Sequence, residues 1–118
     1  MEAKAISYYQ RVSPKKINRI LELIRNRDVP EALNILTFLN KPTKLSVLKT
    51  LRSAVANAIN LAGKVKLSEE DLFVKRAFVN GGPMMKRVQP GPRGSASLIR
   101  RRTSHICIVV ATKEEKRK

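Results

Sequence analysis

Residues 81–97 read Gly81-Gly82-Pro83-Met84-Met85-Lys86-Arg87-Val88-Gln89-Pro90-Gly91-Pro92-Arg93-Gly94-Ser95-Ala96-Ser97. Glycine and proline recur too often here for a helix, and the segment offers no apolar face to bury. Two strand-like stretches flank it. Leu72 to Asn80 is rich in Phe and Val. Ile106 to Ala111 sets Ile106, Ile108 and Val110 on one side and Cys107 and Val109 on the other. Two strands joined through a basic Gly/Pro segment predict an extended hairpin, over about residues 80–100, that leaves the globular body. At the usual strand rise an arm of about ten residues reaches on the order of 30 Å. An isolated hairpin is marginal in water, so such an arm is expected to become ordered by binding a partner.

Upstream, the pattern changes from period two to helical. Residues 3–12 read as a strand carrying Tyr8, Tyr9 and Val12. Ser13-Pro14 ends it and starts a helix, with Ser13 as the cap and Pro14 at the first helical position. Ile17, Ile20, Leu21 and Ile24 then share one face, and Lys15, Lys16 and Arg19 lie off it. Arg25 to Val29 reads as a turn. Pro30 and Glu31 open a second helix with Ala32, Leu33, Leu36 and Leu39 inward, and Asn40-Lys41-Pro42 breaks it. A third helix is predicted from about Thr43 to Ala62. Its stripe is Leu48, Leu51, Val55, Ala58, Ile59 and Ala62, with Gly63 as the stop. Its small residues, Ser53, Ala54, Ala56, Asn57 and Ala58, leave room for another backbone to come close. Ser68 to Asp71 is an acidic turn, and residues 113–118 form a charged, fraying tail.

The chain has 118 residues, of which 42% are hydrophobic, enough for one modest core over residues 1–112. Its formal net charge is +16. Like charges at that density oppose compaction unless a polyanion neutralises them, and nucleic acid is the usual one. The charge is uneven. From Leu72 to Thr112 there is no acidic residue, while Lys75, Arg76, Lys86, Arg87, Arg93, Arg100, Arg101 and Arg102 all fall there. Single-sign blocks mark interaction segments rather than ordinary solvated surface. Aromatic residues are only 4%, too few for a domain that reads single strands chiefly by stacking. Tyr8, Tyr9, Phe73 and Phe78 could supply a little stacking, but they are expected chiefly in the core or packed on the sheet. Lys and Arg are expected to recognise phosphate, sugar and shape, which favours folded RNA over an architectural role on duplex DNA. The N-terminus shows no cationic start followed by an apolar run, and no stretch approaches a membrane span, so a soluble intracellular protein is expected.

Enzyme chemistry has little to stand on. His105 is the single histidine and Cys107 the single cysteine. A metal site wants three or four ligands, and an activated Cys–His pair wants a third orienting group; neither is identifiable. Gly81-Gly82-Pro83 lacks the Lys-Ser/Thr and following helix of a phosphate loop. No catalytic residue, metal or cofactor is expected.

Four stretches, in order, resemble one known family. Arg100-Arg101-Arg102-Thr103-Ser104-His105-Ile106 looks like the Arg-Thr-Ser-His signature of the bacterial-type large-subunit ribosomal protein twenty-two family. Arg11-Val12-Ser13-Pro14-Lys15-Lys16 is similar to its Arg-Ile-Ser-Pro-Arg-Lys segment. Leu51 to Ala58 resembles its long helix, and Gly82-Pro83 through Met85-Lys86-Arg87-Val88 to Pro90 resembles its hairpin. Gln89-Pro90-Gly91-Pro92-Arg93-Gly94 departs from the family's Met-Pro-Arg-Ala-Arg-Gly, with fewer arginines and an extra proline. The resemblance implies an α+β fold: three helices packed on a small antiparallel three-stranded sheet, with a long protruding β-hairpin. It implies a non-enzymatic constituent of the large subunit of a cytoplasmic ribosome, with the short N-terminus favouring a bacterial or mature organellar form. Such a protein binds ribosomal RNA, bridges RNA domains during assembly and lines the nascent-peptide exit tunnel with its hairpin tip. Its implied partners are large-subunit ribosomal RNA, neighbouring large-subunit proteins and the nascent peptide, with no membrane and no homo-oligomer. Carried over by position, Arg11, Ser13, Pro14, Lys15, Lys16, Arg19, Arg52, Lys75, Arg76, Lys86, Arg87, Arg93, Arg100, Arg101, Arg102, Thr103, Ser104 and His105 would contact RNA. Met84, Met85, Lys86, Arg87, Val88, Gln89, Pro90 and Gly91 would form the tunnel tip.

Overall fold

A computed structural model describes residues 2–63, 68–94 and 96–113. Of the predicted fraying tail, all but Lys113 lies outside the described residues. The elements follow in the order β1 (Glu2–Gln10), α1 (Pro14–Ile24), α2 (Val29–Phe38), α3 (Lys44–Ala62), β2 (Leu72–Gly81), β3 (Met85–Pro90), β4 (Ala96–Arg101) and β5 (Ser104–Thr112). The fold is α+β: three helices cover one face of an antiparallel sheet ordered β1-β5-β2, and β3 and β4 form a separate two-stranded ladder.

Helix α1 starts where Ser13-Pro14 requires. Ser13 occupies the cap position, but its side chain makes no capping bond; its carbonyl accepts from the Ile17 amide at 3.2 Å. Ile17, Ile20, Leu21 and Ile24 are fully buried, as their spacing predicts. The turn after α1 is stitched to β2, with the Asn26 amide donating to Val74 at 2.9 Å and the Val74 amide donating to Arg27 at 2.8 Å. Asn26 takes φ 62°, a region asparagine tolerates. Helix α2 begins at Val29, which is fully buried and so belongs to the core rather than to the predicted turn. An acidic 3-10 turn, Glu69–Asp71, leads into β2, and the Asp71 carboxylate accepts from the Ser68 amide at 3.2 Å.

Helix α3 departs from its predicted stripe. Its buried residues are Val47, Thr50, Leu51, Ala54, Val55 and Ala58, whereas Ile59 is 40% exposed. The reason is the close approach of β1. Ala54 and Ala58 lie beneath the sheet, the Thr50 and Ser7 hydroxyls meet at 2.6 Å, and the Asn57 amide donates to the Lys4 carbonyl at 3.0 Å. Small and hydroxylated side chains fit that gap. Of the small residues, Ser53 and Ala56 face outward instead. Gly63 ends the helix at φ 61°, in the left-handed region that favours glycine.

Strand β5 is central and lays Ile106, Ile108 and Val110 against the helices, all fully buried. The sheet pairing of β2 with β5 runs out at Gly81 opposite Ser104, and the arm continues from there. In the arm, Met85 lies opposite Arg101, Lys86 opposite Arg100 and Pro90 opposite Ala96, so the pairs converge on Arg93. Arg93 and Gly94 turn the chain with φ 58° and 74°. The turn of the arm therefore falls beyond most of the residues expected at the tip. Met84, Met85, Lys86 and Arg87 sit in the half of the arm near the body, and within the predicted tip only Pro90 and Gly91 reach the turn. Gly81-Gly82-Pro83 marks where the arm leaves the sheet, and a second Gly/Pro cluster, Pro90 to Gly94, makes the turn. The molecule measures 66 × 25 × 21 Å with a radius of gyration of 17.5 Å. A compact chain of this length would have roughly 13.5 Å, so the arm dominates the shape.

Candidate nucleic-acid interface

Some basic residues are tied to other groups of the chain, and others are presented outward. Arg25 is structural: its Nε donates to the Ala77 carbonyl at 2.7 Å and its Nη2 to Asn18 Oδ1 at 2.8 Å. Arg27 pairs with Glu31 at 2.6 Å one helical turn on, and Lys44 Nζ donates to the Thr37 carbonyl at 2.9 Å. Lys75 pairs with Glu2, so part of its charge is already met.

The outward set forms three groups. On the body, Arg11, Lys15, Lys16 and Arg19 are exposed around the start of α1, beside half-buried Ser13 and Pro14. That first turn holds no acidic residue. Its lysines oppose the helix dipole, and an anion seated there would satisfy both. Lys16 and Arg19 line a cleft of about 370 Å³ with Lys41, Pro42 and Thr43 from the α2–α3 connection. Arg52 is exposed on the outer side of α3. Lys4 on β1 and Arg76 on β2 flank Val109 of the central strand and border a hollow of about 630 Å³ that Glu2, Asn57 and Asn60 also line. The third group runs along the arm, where Lys86, Arg93, Arg101 and Arg102 are exposed. Lys86 and Arg100 are directly opposite one another in register, and Arg87 and Arg101 lie one position from them on alternate strands.

Lys4 and Lys41 were not among the expected contacts. For Lys41 a signal was present: Ala32 to Ser68 is a second acid-free stretch, with Lys41, Lys44, Lys49 and Arg52 in it; Lys4 has no such signal.

Thr103, Ser104 and His105 sit at the base of the arm, and Thr103 and Ser104 face inward. Thr103 and Ser104 are buried. The Thr103 hydroxyl donates to the Pro83 carbonyl at 2.6 Å, and the Ser104 hydroxyl donates to the Val12 carbonyl. The Gly82 amide donates to the Thr103 carbonyl at 2.9 Å. His105 is half-buried, and its Nδ1 accepts the Tyr9 amide proton at 3.1 Å. In this arrangement the Thr-Ser-His run latches the arm to the body.

Of the four aromatics expected in the core or on the sheet, Phe73 is buried at 4% exposure. Tyr8 and Tyr9 are instead 59% and 64% exposed, and Phe78 is 39% exposed on the outer sheet face. Cys107, opposite Phe78 and Ile6, is buried and unpaired. Burial pushes its thiol pKa up, against the opposing pull of the Lys4 and Arg76 charges. Among the described residues, no group of three acidic, histidine or cysteine side chains could hold a metal ion. No described helix is long and apolar enough to cross a membrane.

Comparison with known proteins supplies the family. The profile of the family described as Ribosomal protein L22p/L17e matches residues 5–111. A large ribosomal subunit protein uL22 from Thermus thermophilus is 46% identical over 116 residues, covering 98% of this chain and 100% of the relative. One from a Thermoanaerobacter species is 48% identical over 114 residues, covering 97% and 100%. One from Carboxydothermus hydrogenoformans is 46% identical over 115 residues, covering 98% and 99%. With the match running from β1 through the arm to the end of β5, the chain belongs to the Ribosomal protein L22p/L17e family.

Proposed function

We propose that this protein is a structural, non-catalytic constituent of the large subunit of the cytoplasmic ribosome, where it binds ribosomal RNA through two surfaces at once. Its relatives are named as large-subunit ribosomal proteins. Residues 1–112 act as one unit in this reading, with residues 80–100 as its extension. The cleft beside Lys16, Arg19 and Lys41 seats the body on the phosphates of one RNA segment. The arm carries Lys86, Arg87, Arg93, Arg100, Arg101 and Arg102 into another, so the protein bridges RNA domains as the subunit assembles. The turn around Arg93, with Val88 to Gly91 beside it, reaches the exit tunnel and lines the path of the nascent peptide. Neighbouring large-subunit proteins meet the remaining surface. The observation that carries this reading is an arm whose strands pair with each other, that holds no acidic residue, and that exposes Lys86, Arg93 and Arg101. Nothing in its own fold explains such an arm, and folded polyanion does.

The test is incorporation. Replacing Arg100, Arg101 and Arg102 with glutamate reverses the charge near the arm's root while leaving the helices and the core of the sheet untouched. The variant is expected to fold, as judged by its melting transition, yet to be missing from large subunits purified through a high-salt gradient. Normal co-sedimentation of that variant would remove these residues from the interface.

A further inference from the structure

Adjacent residues of a strand ordinarily point to opposite faces. Tyr8 and Tyr9 break that rule. Tyr9 holds φ 54°, in the left-handed region that costs a bulky side chain on the order of 1–3 kcal/mol. The β1–β5 register shifts at this point, between Ser7 and Gln10. The result is that both rings meet one histidine. The Tyr8 ring centroid lies 5.3 Å from that of His105, and the Tyr9 centroid 5.0 Å from it, each edge-on. The two tyrosine rings are 6.4 Å apart and tilted by 41°. The Tyr9 amide donates to His105 Nδ1, which pins the strained residue. A backbone strained to gather two aromatic rings, which then stay mostly exposed, is not explained by packing. Core formation would bury them.

We propose that Tyr8 and Tyr9, braced by His105, form a stacking site for an unpaired nucleobase of the RNA partner, at the root of the arm. This rests on the ribosomal RNA reading above and adds a mode of recognition to it. The surroundings suit the phosphates that flank such a base. Arg11 follows the tyrosines by two residues, and Arg101 and Arg102 precede His105; all three are exposed. A base stacks on any aromatic face, whatever its sequence, and the neighbouring guanidinium groups fix the backbone.

The chain has two tyrosines and no tryptophan, so its tyrosine emission reports this site alone. The probe is a transcript of large-subunit ribosomal RNA, added to the full chain, with binding followed in parallel by filter retention. Saturation is expected to quench the emission of both tyrosines. Tyr8→Leu/Tyr9→Leu keeps apolar bulk but removes the rings, and should weaken binding by about 5- to 150-fold, the range for losing one stacked base. Its salt dependence should keep the wild-type slope, because stacking releases no counterions. Tyr8→Phe/Tyr9→Phe should bind as the wild type does. Undiminished emission in the saturated complex would overturn the proposal, as would full affinity of the leucine variant. A shallower salt slope for the leucine variant would assign the tyrosines to phosphate contacts and overturn it too. If the leucine variant fails to fold, the wild-type emission decides. Failure of the wild-type chain to bind the transcript strikes the RNA reading itself, which keeps the two failures apart.

Discussion

Gly82 shows how finely the root of the arm is fitted. A β-carbon placed there would stand 2.5 Å from Thr103 Oγ1 and 3.2 Å from two atoms of the His105 ring. Neither neighbour can retreat freely: the Thr103 hydroxyl is held by Pro83, and the ring by the Tyr9 amide. Gly82→Ala is therefore expected to destabilise the protein by about 1–3 kcal/mol, the usual cost of overpacking, read as a lower urea midpoint. Gly81, one residue earlier, has open space around such a carbon, so Gly81→Ala serves as the control. Cys107 gives a second prediction at this scale. Burial raises its thiol pKa, so the folded chain keeps the proton longer than the unfolded one. The sign follows: this contribution to stability is intact below the ordinary thiol range and is lost as pH rises through the folded value. The urea midpoint should accordingly fall less on the alkaline side for Cys107→Ala than for the wild-type chain. At neutral pH the folded thiol should react slowly with iodoacetamide and quickly once urea unfolds it.

At the scale of elements, α3 separates what periodicity can and cannot say. Apolarity alone puts Leu51 and Ile59 on one stripe. In the structure Leu51 is fully buried, whereas Ile59 is 40% exposed. Leu51→Ala should cost about 2–5 kcal/mol. Ile59→Ala should cost well under half of that by the same melting measurement; equal losses would restore the predicted stripe. The arm differs from every other element in having no partner layer. β3 and β4 pair only with each other, so their amides should exchange with deuterium much faster than those of β5 in the free protein. Binding to ribosomal RNA should slow exchange in β3 and β4 and leave β5 unchanged. Protection of the arm in the free chain equal to that of β5 would show that it needs no partner.

The whole molecule is a small body with a charged arm, 66 Å along its longest axis and with a net charge of +16. Electrostatics should then govern its binding. If the outward basic residues of the body and the arm together neutralise about eight phosphates, the affinity for ribosomal RNA should fall with salt on a log–log slope of about −6 to −7. A slope near −1 in the same titration would mean that few phosphates are met and that the arm lies elsewhere. The division of labour among the cations matters here. Arg25, Arg27, Lys44 and Lys75 are engaged by other groups of the chain, so replacing them should alter stability more than the slope. Arg93 and Arg102, exposed on the arm, should do the reverse.

The amino-acid sequence was sufficient for the helices, the strands, the existence of the arm and its lack of acid. These follow from local terms: the 17-20-21-24 spacing of α1, the alternation of β5, the stop at Gly63 and the Gly/Pro content of residues 81–97 are each legible within a few residues. The location of the turn at Arg93, the face that α3 buries and the inward aim of Thr103 and Ser104 were not. Each depends on a partner strand distant in the chain, and register is set by the pairing rather than by either strand alone. The meeting of Tyr8 and Tyr9 with His105 shows this most sharply. Those groups are 96 residues apart for the Tyr9 bond, and only a strained residue in an edge strand, held by a side chain from the neighbouring strand, turns both rings to one side.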